Sequence, residues 1–155
     1  DTFNAATQDK NGDGVYTPPD YVDNFQRVES NTSILDQALS ALLSDLNSSG
    51  MLDETIVVLT TEFGRTPKIN QNTGRDHYPK AFSALLAGGG IKGGTVYGKT
   101  DKNGAEPIEG PVTIADFNAT IAYGCGLPLD QRLFSPRARP FTVANHGDPI
   151  KDLYN

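Results

Sequence analysis

The chain has one cysteine, Cys125, and no tryptophan among its 155 residues. A single thiol excludes an internal disulfide framework and a cysteine-rich zinc site. Basic residues are also in short supply: 13 Lys and Arg face 19 Asp and Glu, for a formal charge of −6. A nucleic-acid surface needs a basic stripe to neutralise phosphates, and the sequence offers none. Long apolar runs are missing too. The longest, AFSALLAGGGI at 81–91, falls well short of the roughly 20 apolar residues that a membrane span requires. No signal peptide is legible, and the first residue is Asp1 rather than Met. That start is expected of a processed product or of a piece of something longer. The length suffices for one domain with a real core.

What the sequence does have, close to its start, is DKNGDGVYTPPD at 9–20. Asp9, Asn11 and Asp13 fall at the first, third and fifth positions, Gly14 at the sixth and Asp20 at the twelfth. This is the spacing of a calcium loop. Calcium takes six to eight oxygens, and a tight turn through glycine lets alternate side chains and the Val15 carbonyl converge on one ion. Thr17 or a water would serve the ninth position. Asp in place of Glu at the twelfth shortens the reach, and the preceding segment is too short for a full EF-hand helix, so a lone dockerin-like loop is the expectation. A partial echo, DKNG at 101–104, has Ala105 where the fifth-position oxygen would be and reads as a turn.

Downstream, helical and extended patterns alternate. DYVDNFQRV places Tyr21, Val22, Phe25 and Val28 on one helical face. SILDQALSALLSDLNSSG puts Ile34, Leu35, Ala38, Leu39, Leu42, Leu43 and Leu46 on a wide apolar stripe, with Gly50 as the stop. DETIVVLTT and AFSALLA read as strands buried on both faces. Residues 62–80 and 99–111 read as loops, RPFTV as an edge strand, and TIADFNATIAYG as a helix with Ile114, Phe117 and Ile121 inward. Cys125, at that helix's end, is expected to be buried. GGGIKGG contains G-x-G-x-x-G after a strand, but GTVYG follows where a Rossmann turn would open a helix, so nucleotide binding is not expected. The order predicts a layered α/β fold with a mostly parallel sheet flanked by helices. Ligands in such folds sit at the carboxyl ends of the strands. That directs attention to EFGRTPKINQNTGRDHYP, after the first strand.

TIVVLTTEFGRTPKI, GRDHYPKAFSALLAGGGIKGGTVYG and PVTIADFNATI together resemble the C-terminal part of the bacterial, sulfatase-like DUF1501 family (a domain of unknown function), within the alkaline phosphatase superfamily. The resemblance runs from about Asn24 to the end. DTF at the start is similar to an Asp-Thr-His motif, with Phe3 where histidine is usual, and the calcium-type loop then stands as an insertion. The resemblance implies an alkaline-phosphatase-like fold of which this chain is the C-terminal portion, and metal-assisted hydrolysis of sulfate or phosphate esters. It implies a metal set of Asp1, Glu62, Asp76 and His77, with Phe63 standing where a histidine would be. Arg65 and Arg75 would flank it and pair with an oxyanion. Zinc, manganese or iron would suit that carboxylate and imidazole set, beside Ca²⁺ in the loop. The nucleophile would lie upstream of this chain.

Two functional expectations follow. In one, the chain is part of a secreted or periplasmic metal-dependent hydrolase carrying a calcium loop. In the other, it is a catalytically inactive, calcium-stabilised structural or interaction module outside the cytoplasm, as Phe3 and Phe63 suggest. Strands apolar on both faces need cover, so an upstream segment of the same protein or another subunit is the expected partner, which leaves room for an oligomer.

Overall fold

A computed structural model describes residues 24–71 and 74–155, with side chains from Gln26 onward. Asp1, Phe3 and the calcium-type loop (Asp9, Asn11, Asp13, Val15, Thr17, Asp20) lie outside the described residues, as do Tyr21 and Val22.

Helix α1 runs from Asn24 to Ser48 without interruption. The sequence pattern suggests two helical segments, 20–28 and 33–50, but no Gly or Pro stands between Asn24 and Ser48, so nothing breaks the backbone ladder. It stops at Gly50, whose φ is 73°. The Gly50 amide donates to the Asn47 carbonyl and Met51 to Leu46 (3.1 and 2.9 Å), a Schellman arrangement that only the left-handed glycine allows without strain. The stripe is unevenly covered. Leu39, Leu43 and Leu46 are half-buried, while Val28, Ile34, Leu35 and Leu42 are exposed, and α1 touches the 3₁₀ turn Leu52–Glu54.

The sheet differs from the expected one. Among the described residues, four separate two-stranded antiparallel ladders replace the mostly parallel layered sheet. Strand β1 (Val57–Leu59) pairs with β4 (Leu85–Ala87), β2 (Gly64–Arg65) with β3 (His77–Tyr78), β5 (Lys99–Thr100) with β6 (Pro107–Glu109), and β7 (Arg132–Phe134) with β8 (Pro140–Thr142). The reason is in the connections. Parallel neighbours need a crossover, usually a helix of a dozen residues or more, and between β1 and β4 the described residues form the β2–β3 hairpin and no helix. The two apolar strands therefore meet antiparallel, Val58 opposite Leu86. Both are only partly covered rather than buried on both faces. The stretch 99–111, expected to be a loop, forms the β5–β6 hairpin. Its tip is the Asp101–Gly104 turn, where the Asp101 carboxylate accepts from the amides of Ala105 and Glu106. Those amides hold its pKa below the ordinary aspartate value.

The tightest packing surrounds helix α2 (Ile114–Gly124). Ala119, Thr120 and Ala122 are its buried residues, and Ile114, expected inward, is 59 % exposed. Cys125, expected to be buried, is exposed just beyond its end. The small residues turn inward because the chain's final segment lies directly on this face. Thr120 Oγ1 donates to the Asp116 carbonyl and accepts from the Ile150 amide, while the Tyr154 hydroxyl donates to the Thr120 carbonyl. Burial raises the Tyr154 pKa. Gly147 abuts the Ala115 carbonyl so closely that a Cβ would overlap it. The three residues before it, Ala144, Asn145 and His146, all have positive φ, the strained conformation that brings the chain back onto α2.

Asp116 ties these parts together. It forms a capping box with Thr113, and its other oxygen accepts from the Asp148 amide at 2.8 Å. The Thr113 hydroxyl first, then the Asp148 and Thr113 amides, hold its carboxyl below the ordinary aspartate pKa. A carboxylate with a depressed folded pKa contributes stability above its unfolded pKa of about 3.9, and that contribution disappears as pH falls through the folded value. Asp116→Ala is therefore expected to lower the melting temperature at pH 7. The difference from wild type should shrink as pH falls below the unfolded value, as thermal melts across the acid range would show.

Candidate functional site

The segment that follows β1 builds its own scaffold. Gly64 sits against the Ala81 carbonyl with no room for a Cβ, which fixes β2 beside the incoming chain of β4. Across the β2–β3 ladder Gly64 faces Tyr78 and Arg65 faces His77. The connection between them is held by its own polar groups. The Thr66 amide donates to the Asp76 carbonyl, and the Asp76 amide to Thr66 Oγ1 (2.9 and 3.0 Å). Arg75 reaches across with Nη1 to the carbonyls of Thr66 and Pro67, at 2.8 and 2.7 Å. Asn70 takes the Gly74 amide on its Oδ1 and donates from Nδ2 to Asp76 Oδ1 at 2.9 Å. An open depression of about 550 Å³ lies alongside, lined by Thr66, Lys68, Ile69, Asn70, Gln71 and Asp76.

The sequence-derived residues are therefore distributed as follows. Arg65, Asp76 and His77 stand together on the hairpin, with Arg75 beneath as its brace and Arg65 Nη1 donating to the Arg75 carbonyl at 3.3 Å. Glu62 is exposed just before β2. The Phe63 ring lies against the His77 imidazole, centroids 4.1 Å apart and planes tilted by 38°. On Phe63 also rests the Arg65 guanidinium, its carbon 5.9 Å from the ring centre. The stack occupies one face of the imidazole, and the ring is otherwise exposed. Among the described residues no group of three or more His, Cys, Asp or Glu side chains converges as a metal-binding set. Asp1, the fourth member of the expected set, lies outside them.

The segment falls within the match of a family model. A family model described as a protein of unknown function, DUF1501, matches residues 22–154. The chain belongs to this family. The DUF1501 match begins after the calcium-type loop and takes in α1, the β2–β3 hairpin and α2. No curated protein and no solved structure matches the chain.

Two features of the DUF1501 segment are invisible to motif reading. One is the Phe63–His77 stack, whose partners are 14 positions apart in sequence and meet only because the hairpin register sets Arg65 opposite His77. The other is Asn70, which anchors Asp76 from the far side of the loop. Asparagine between a proline and a glycine reads simply as a turn residue. The Lys80–Glu106 ion pair at 3.1 Å is equally unforeseen, but it joins two exposed side chains and contributes little. The pair raises the Lys80 pKa, through the Glu106 hydrogen bond first.

Proposed function

We propose that the chain is the C-terminal part of a secreted or periplasmic, sulfatase- or phosphatase-like metal-dependent hydrolase, with a calcium-binding loop at residues 9–20. The observation that carries this reading is His77. Its imidazole is fixed from one face by Phe63, beside an anchored carboxylate, and neither ring nitrogen has a hydrogen-bond partner among the described residues. Metals bind an imidazole in its plane, so a tilted contact on one face leaves the ring edge open to solvent.

The donor set suits zinc, manganese or iron: one imidazole nitrogen from His77 and carboxylate oxygen from Asp76 or Glu62. Asp76 Oδ1 is already held by Asn70, which orients the carboxylate as a supporting hydrogen bond does in established metal sites. The bound ion would polarise a sulfate or phosphate ester and activate the attacking oxygen. Arg65, an exposed residue across from His77 whose Nη1 also reaches the Arg75 carbonyl, would pair with the substrate oxyanion. Arg75 would hold the loop in shape through its carbonyl contacts. The remaining ligands would come from Asp1 and from a partner surface. An upstream segment of the same protein, or another subunit, would also cover Val28, Ile34, Leu35 and Leu42 on α1.

The competing reading is a catalytically inactive, calcium-stabilised module, favoured by Phe63 at the position where the superfamily pattern has a metal histidine. Hydrolysis of para-nitrophenyl sulfate and phosphate by the whole protein separates the two. The hydrolase reading predicts turnover that depends on added divalent metal and falls at least about a hundredfold in His77→Ala. Absence of turnover with every metal, or turnover untouched by His77→Ala, would leave the inactive module as the better account.

A further inference from the structure

We infer that α1 docks along a second copy of itself, as one strand of a parallel, in-register two-stranded coiled coil. The continuity of the helix creates the surface. Val28, Thr32, Leu35, Leu39, Leu42 and Leu46 follow one another at spacings of four, three, four, three and four residues. This is the a/d repeat of a coiled-coil seam, with Thr32, Leu39 and Leu46 at a and Val28, Leu35 and Leu42 at d. A break near residue 30 would divide it into two short stripes. The single helix Asn24–Ser48 makes it one line.

The seam is open where a partner would need it. Among the described residues, the main neighbour of α1 is the 3₁₀ turn Leu52–Glu54 directly after it. The d residues Val28, Leu35 and Leu42 are 56, 43 and 47 % exposed. A helix of 25 residues extends about 37 Å, and it gains most of its stability by burying an apolar face. Ile34 is exposed as well but falls at a c position, outside the seam.

Charge selects the occupant and its direction. The flanks of the seam are Glu29, Asp36 and Leu43 at e, and Asn31, Ala38 and Asp45 at g. In parallel pairing each g residue meets an e residue of the partner helix. Asn31 then faces the partner's Asp36, an amide against a carboxylate, and Ala38 faces the partner's Leu43, which widens the apolar strip. No two carboxylates meet. Antiparallel pairing instead sets e against e and brings Asp36 beside the partner's Asp36 near the middle of the overlap, where like charges repel. Thr32 fixes the register further: in parallel its hydroxyl meets its own copy, and any slip sets it against a leucine.

Sedimentation velocity of the 155-residue chain from about 1 to 200 μM tests the pairing, with circular dichroism to check that each variant keeps its helix. The inference predicts a reversible dimer. Leu35→Gln with Leu42→Gln should raise its dissociation constant at least about a hundredfold, since four leucines leave the interface. Ile34→Gln, an equally apolar change off the seam, should leave it unchanged. Thr32→Cys in a Cys125→Ser background reads direction with the leucines in place, even where the double variant unfolds. Parallel pairing predicts a disulfide between copies under mild oxidation; in the antiparallel arrangement residue 32 would lie opposite Leu42, about 15 Å from its own copy along the axis. A chain that stays monomeric throughout, or a dimer indifferent to Leu35 and Leu42, overturns the inference, and a dimer without the crosslink overturns its direction. Dimerisation that disappears in the whole protein would give the seam to the upstream segment instead, and would equally overturn it.

Discussion

Removing calcium should lower the melting temperature of the wild-type chain by about 3–10 °C. A loop of the 9–20 type, with one bidentate ligand fewer than an EF-hand, is expected to bind calcium with Kd of about 0.1–1 mM, the range of extracellular modules. At about 10 mM calcium, such affinity stabilises the folded form by roughly 1.4–2.7 kcal/mol. For a chain of this length, each kcal/mol moves the midpoint by about 2–4 °C. Replacing both Asp9 and Asp13 by alanine removes two of the five protein ligands and should erase the calcium dependence altogether. Scanning calorimetry with calcium and with chelator reads this directly. A wild-type melting curve that chelator leaves unmoved would remove calcium from the account.

Thr120→Val is expected to be the most damaging conservative change in the C-terminal half. Thr120 is wholly buried, and its hydroxyl both donates to the Asp116 carbonyl and accepts from the Ile150 amide, at 2.7 and 3.0 Å. Valine keeps the shape but strands the Ile150 amide without its acceptor. An unsatisfied buried donor costs about 1–3 kcal/mol, or roughly 2–12 °C in melting temperature. Thr120→Ser keeps the hydroxyl and should lose only the methyl, about 1 kcal/mol. The damage should be local in origin: hydrogen exchange at Ile150 and Tyr154 should accelerate in the valine variant before α1 is affected. Equal stability of the valine and serine variants would mean that the final segment is not held by this bond.

The helices were more legible than the sheet, for a physical reason. Helical periodicity and stops are local: Gly50 ends α1 and the Thr113–Asp116 pair starts α2, both readable within a few residues. Pairing is not local. TIVVL and ALLA are apolar enough for a buried parallel strand, and their composition does not reveal that the intervening 25 residues hold a hairpin instead of a crossover helix. Nor could periodicity foresee that α2 turns Ala119, Thr120 and Ala122 inward rather than Ile114. That choice is made by the close approach of Gly147, 23 residues further on. Arg65, Asp76 and His77 were legible as a candidate site because two loop motifs named them. The contact that gives His77 its orientation was not, since in sequence Phe63 registers only as a missing histidine.

Anomalous diffraction at the zinc edge, from crystals of the protein grown with zinc, tests the central claim most directly. The account predicts a peak about 2.0–2.3 Å from a His77 ring nitrogen and from a carboxylate oxygen of Asp76 or Glu62, with the Phe63 ring still against the imidazole. A peak elsewhere in the molecule, or a His77 ring with no ion beside it at full zinc occupancy of the crystal, would contradict it.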